Sequence, residues 1–129
     1  MDIAALVTWV ITALGGFYLL ARWLSGGGAK QGSGSRLPVP VIFGHFALAA
    51  IGLVIWIVYL VTDNQALAWT ALIVLVPVAA LGFTMLVRWL AVRQAGATAE
   101  SRFPVAVVAG HGVLAVVTVV LVLLAALAG

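Results

Sequence analysis

Cysteine is absent from this 129-residue chain, and carboxylate side chains are limited to Asp2, Asp63 and Glu100. The first absence excludes disulfide frameworks and thiolate chemistry. The second leaves every long apolar stretch without an acid, which argues against proton-coupled export of cations, a chemistry that generally needs a membrane-embedded carboxylate. Histidine occurs only at His45 and His111, and charged residues make up 7% of the chain. With 66% apolar residues, a water-soluble domain of this length would have nowhere to place its apolar surface. A mean hydropathy of +1.32 says the same. The solvent for this sequence is lipid.

Four uncharged stretches approach or exceed the roughly 20 helical residues needed to cross the hydrocarbon core: Ile3 to Ala21, Val39 to Thr62, Gln65 to Val87 and Pro104 to Ala128. They predict a single integral membrane domain over residues 1–129, with membrane lipid as its immediate partner. All six basic residues, Arg22, Lys30, Arg36, Arg88, Arg93 and Arg102, lie at or in the connections after the first and third spans. Asp2 and Asp63 lie on the other side. By the positive-inside bias, these connections face the cytoplasm and both termini face outward, in a multi-pass protein of the plasma or inner membrane. The basic balance is therefore a topology signal, and no nucleic-acid partner is expected. The first span opens on Asp2 and has Arg22 at its far end, the reverse of a secretory signal. Ser25 to Ser35 reads as a flexible Gly/Ser linker, and Thr62-Asp63-Asn64-Gln65 as a tight turn between antiparallel helices.

The two histidines are 66 residues apart, and the same interval is the period of an internal repeat. At that offset Ser35-Arg36-Leu37-Pro38-Val39 meets Ser101-Arg102-Phe103-Pro104-Val105, Gly44-His45 meets Gly110-His111, and Arg22-Trp23-Leu24 meets Arg88-Trp89-Leu90. From Ala13 to Val54 the register holds without a gap, with 18 of 42 positions identical. Shared richness in Ala, Val and Leu does not readily pair Arg, Trp, Pro and His. The fold class predicted is all-α: a four-helix transmembrane up-down bundle made of two tandem-duplicated helical hairpins, about 1–65 and 66–129. Each copy holds two spans, so both insert the same way up and their pseudo-twofold axis runs along the membrane normal. The first and third helices then share one diagonal, and the second and fourth the other. Positions identical between the second and fourth helices trace one helical stripe through the histidines. His45 lies nine residues beyond Arg36, about 13 Å from the basic edge at ~1.5 Å per residue.

Two imidazoles facing each other at one depth are too few for zinc, which takes four ligands. Haem brings four equatorial nitrogens of its own and needs only axial ligands, which His45 and His111 would supply. Gly44, Gly110, Gly112, Gly16 and Gly82 offer no side chain to obstruct a flat macrocycle, and Phe17 and Phe83 can pack on its faces or edges. Arg36 and Arg102, together with Arg22 and Arg88, would meet the propionates. The plainer readings stand beside these. The imidazoles can hydrogen-bond each other or a carbonyl, and the glycines can serve close helix packing. Arg22-Trp23 and Arg88-Trp89 read most economically as interface anchors. Pro77 falls inside the third helix and is expected to kink it.

With Gly44-His45 and Gly110-His111 on the second and fourth helices, the chain resembles the broad class of four-helix transmembrane b-type cytochromes. The resemblance is one of architecture over the whole chain. It implies one haem b per chain between those two helices, whereas two-haem members of the class carry one near each face. With both axial positions filled, dioxygen has no open site, so the resemblance implies electron transfer, with a lipid quinone or a redox protein as partner. The protein is then an electron carrier, alone or as a subunit of a redox complex, more than a stand-alone enzyme. Two other classes stay open: a small four-span transporter, and a cofactor-free structural membrane subunit whose histidine pair is packing.

Overall fold

The computed structural model describes residues 1–129 as four α-helices: α1 (Asp2–Ser25), α2 (Val39–Thr62), α3 (Gln65–Val92) and α4 (Val105–Ala128). A single 3₁₀ turn, Glu100–Arg102, precedes α4. All four helices are long and apolar enough to cross a membrane. The second matches its uncharged stretch, while α1 and α3 run past theirs and carry Arg22 and Arg88 inside the helix. Pro38 and Pro104 sit as the residues before α2 and α4 in extended conformation, where a missing N–H breaks no helical bond. Helix α3 continues through Pro77. Between α2 and α3, Asp63 adopts a left-handed conformation with φ 54°, and the Asn64 side chain accepts from the Ala66 N–H. That supplies one of the four donors a helix start leaves unpaired.

The helices pack as two close pairs, α2 with α3 and α1 with α4, with lighter contact between the pairs. Consequently α1 lies diagonal to α3 and α2 diagonal to α4. Lipid is as apolar as a leucine side chain, so the pairs are held by close packing and interhelical hydrogen bonds more than by burial. Two packed layers result. The larger, at the terminal end of the bundle, gathers Trp9, Trp56, Tyr59, Leu75, Val122 and the small residues Ala5, Ala68, Ala71 and Ala125. Gly52 admits Trp9 there, since a Cβ at position 52 would lie 3.0 Å from the indole Cζ2. Trp56 donates to the Asp2 carbonyl, Tyr59 to the Asp2 carboxylate, and the Gln65 amide to the Ala125 and Ala126 carbonyls at the end of α4.

The smaller layer closes the basic end around Trp23, Leu37 and Ile42. The Gly/Ser segment folds back here, contrary to its reading as a free linker. Gly28 N–H bonds the Trp23 carbonyl at 2.9 Å and Gly27 N–H the Leu24 carbonyl at 3.0 Å, an arrangement that Gly27 permits with φ 79°. Gly28 is buried against the Trp23 indole, where any side chain would collide with the ring. Trp23 and Trp89 do not face lipid as interface anchors but are buried, at 1% and 5% exposure. Their indoles tie the loops instead: Trp23 Nε1–H donates to Ser35 Oγ at 3.0 Å and Trp89 Nε1–H to the Glu100 carbonyl at 2.9 Å.

Glu100 joins one loop to the other. Its carboxylate is fully buried, accepting from the Arg36 main-chain N–H at 2.7 Å and from the Ser35 hydroxyl at 3.0 Å. Truncation would orphan that N–H, at a cost of about 1–3 kcal/mol. Glu100→Ala is therefore expected to lower the thermal unfolding midpoint in detergent clearly, and Glu100→Gln, which keeps one acceptor oxygen, to lower it less. Equal midpoints for Glu100→Ala and the parent would show that the clamp contributes nothing.

Candidate functional site

Between the two packed layers lies a stretch of bundle with no buried residue: Val10 to Arg22 of α1, Phe43 to Ile51 of α2, Ala79 to Arg88 of α3 and Val105 to Val117 of α4. Both histidines sit in it. Their ring centroids are 6.3 Å apart across the α2–α4 diagonal, at an interplanar angle of 68°. The rings do not bond each other. His45 Nδ1 lies 2.8 Å from the Val78 carbonyl of α3, and His111 Nδ1 lies 2.7 Å from the Thr12 carbonyl of α1. A carbonyl can only accept, so Nδ1 carries the proton in both rings. In the neutral ring the lone pair is then on Nε2, the nitrogen free to act as a ligand.

Each bond depends on a glycine. In an α-helix the carbonyl of residue i points toward residue i+4, so a side chain at position 16 or 82 would stand beside the carbonyl the imidazole must reach. A Cβ at Gly16 would lie 3.0 Å from His111 Cε1, and one at Gly82 would lie 3.0 Å from His45 Cε1. The place of Gly16 and Gly82 is thus against the imidazole edges. Position 78 follows position 12, and position 82 follows position 16, by the interval that separates the histidines. Thr12 and Val78 escaped the sequence reading because they act through main chain, and their side chains have nothing in common.

The remaining candidate residues divide. Gly110 and Gly112 face open space, with nothing within 4 Å of a Cβ built at either, and Gly44 would meet only Leu81 Cδ1 at 3.8 Å. Phe17 packs edge-on against Phe46 with centroids 5.3 Å apart, an α1–α2 contact the sequence did not suggest. Phe83 is 67% exposed on α3. The carbonyls of Arg36 and Arg102 accept from Arg88 Nη1 at 3.1 Å and from Arg22 Nη2 at 3.3 Å. Their own guanidiniums lie at the exposed basic end.

No group of three or more His, Cys, Asp or Glu side chains is placed to hold a metal ion. Two imidazoles can complete the coordination of a metal that already has four other donors, as haem iron has. The residues present fit such a group. Neither Nε2 has a protein partner, yet neither is sealed off, since no buried side-chain nitrogen lacks one. His45 and His111 would hold such a metal through their Nε2 atoms, since Nδ1 of each is engaged by a carbonyl. The open glycines lie next to the rings in sequence. No family model, curated protein or solved structure matches the chain.

Gly16→Val and Gly82→Val are each expected to push an imidazole from its carbonyl and to destabilise the protein by about 1–3 kcal/mol, the usual cost of overpacking. Gly112→Ala, whose new methyl group meets nothing, is the neutral control. Nitrogen-15 NMR of the imidazoles, with thermal unfolding, checks this. Unchanged Nδ1 protonation in both valine variants would dismiss the glycine-gated seat.

Proposed function

We propose that the chain is a membrane b-type cytochrome that binds one haem b between α2 and α4 through His45 and His111. The observation that carries this reading is the pair of fixed imidazoles: each donates Nδ1–H to a carbonyl on the neighbouring helix and leaves Nε2 without a protein partner. A ligand histidine held by its other nitrogen in this way is fixed in tautomer and orientation, as metal-ligating histidines commonly are. His45 and His111 would hold the haem iron in this proposal, and Gly44, Gly110 and Gly112 would leave clearance beside them. Arg36 and Arg102, at the basic end, supply positive charge toward the propionates. When bound, haem supplies one-electron redox chemistry, and the apolar surroundings and nearby cations bias its potential. With the iron held by both histidines, the role would be electron transfer, with a lipid quinone or a redox protein as partner.

The proposal includes the architecture behind the pair. Two tandem hairpins related by a pseudo-twofold axis along the membrane normal would place the histidines at equal depth. Matched bonds support this: His45 to Val78 with His111 to Thr12, and Arg88 to Arg36 with Arg22 to Arg102. The orientation proposed puts the basic loops in the cytoplasm and both termini outside, on the charge bias alone.

One observation favours a second reading, a cofactor-free structural subunit: the Nδ1 bonds already give each histidine an interhelical task. A spectrum separates the two. The full chain, produced with haem supplied, is expected to show the reduced-minus-oxidised bands of a low-spin b-type centre at one haem per chain, and His45→Ala and His111→Ala each to abolish them. Gly110→Leu is expected to lower haem occupancy while leaving the haem-free protein's stability within about 0.5 kcal/mol, as for a surface change. A parent protein that stays colourless after haem supplementation refutes the cytochrome reading.

A further inference from the structure

At the basic end, above the Trp23 layer, the folded Gly/Ser loop and the segment before α4 border an open cavity of about 550 Å³. Three cations line it, Arg22, Lys30 and Arg102, and no carboxylate does. The only acid nearby in the fold, Glu100, has both oxygens engaged by Arg36 N–H and the Ser35 hydroxyl, while Asp2 and Asp63 lie at the opposite end. Arg22 donates only to the Arg102 carbonyl, at 3.3 Å, through Nη2, and Lys30 has no side-chain partner, so most of their N–H donors are uncommitted. Neutral donors join them. The main-chain N–H groups of Gln31 and Gly32, both in the lining, bond no carbonyl.

Three uncompensated cations with free amide donors at the mouth of a bundle select a compact, multiply charged oxyanion. Arg22 stands in the last turn of a membrane-spanning helix, which puts the cavity at the depth of lipid phosphates. Basic pockets between helices at this level are the known pattern for anionic headgroups. We propose that this cavity is a phosphate-binding site, filled by the headgroup of an anionic phospholipid or by a small soluble phosphate. It needs no haem, but it shares Arg102 with the cytochrome reading.

The test uses the full chain in a neutral detergent, incubated with equal phosphatidylcholine and phosphatidylglycerol and weighed intact with bound lipid by native mass spectrometry. Selective retention of about one phosphatidylglycerol per chain is expected, with each cation contributing roughly fivefold in affinity. Arg22→Gln/Lys30→Gln/Arg102→Gln together should reduce retention on the order of 100-fold, and Lys30→Gln alone, which removes no protein bond, should reduce it measurably even if the triple variant folds poorly. Arg93→Gln is the charge control, since Arg93 stacks on Trp89 at 5.8 Å and does not line the cavity. A second arm titrates inorganic phosphate and pyrophosphate. Binding there with the same dependence on Lys30, without lipid selectivity, supports the site and assigns it to a soluble phosphate. The proposal fails if neither probe binds, if Arg93→Gln loses as much as Lys30→Gln, or if haem loading expels the lipid, which would assign the cations to porphyrin carboxylates.

Discussion

A backbone or side-chain polar group inside lipid has no water to turn to, so it must find its partner within the protein. In this bundle that demand selects which helices touch. The His45 and His111 imidazoles reach across to the α3 and α1 carbonyls, the Gln65 amide caps the end of α4, and Tyr59 and Trp56 fasten the start of α1. Each of these bonds joins two different helices through residues 33 or more positions apart. Apolar burial offers little discrimination in lipid, so these few polar tethers set the register of the pairs, and the packing of Trp9, Trp56 and Leu75 follows from that register.

The bundle divides accordingly into two packed layers with a lighter-packed zone between them. The terminal layer uses small residues on α3 and α4 to bring helices close around large indoles from α1 and α2. The basic layer does its work through loops: two buried tryptophans hold the connections down, and one buried carboxylate joins the first connection to the second. The middle zone is where the imidazoles have space, and its glycines are of two kinds. Gly16 and Gly82 lie under the rings, while Gly110 and Gly112 meet nothing at all.

Much of this was legible in the sequence because lipid imposes long apolar runs of nearly fixed length. The α2 boundaries follow from them directly, and α1 and α3 overrun only where Arg and Trp continue the helix toward the loops. The histidine pair was legible because its spacing repeats elsewhere in the chain. What could not be read were main-chain contacts and loop packing. Nothing in the side chains of Thr12 and Val78 announces that their carbonyls receive an imidazole. A run such as Gly26-Gly27-Gly28 looks flexible in one dimension, although the absence of side chains is what lets it lie against Trp23. Trp23 and Trp89 have the composition of lipid anchors, and only the folded loops above them explain their burial. Glu100 has no acidic counterpart in the first half, where Gly34 stands at the corresponding position, so repeat logic passed over it.

The choice of a carbonyl as the imidazole's acceptor has a consequence for how such a protein can diverge. A side-chain acceptor would have to be inherited intact, whereas every amino acid brings the same oxygen. Positions 12 and 78 are thus at liberty to drift, as threonine and valine already illustrate, and the tether survives any exchange that keeps the helix. The burden of heredity falls instead on the residue one turn along, where bulk is forbidden. A lineage could rewrite most of the surface around these rings and still present them at the same angle, provided two hydrogen atoms at positions 16 and 82 were never replaced by carbon.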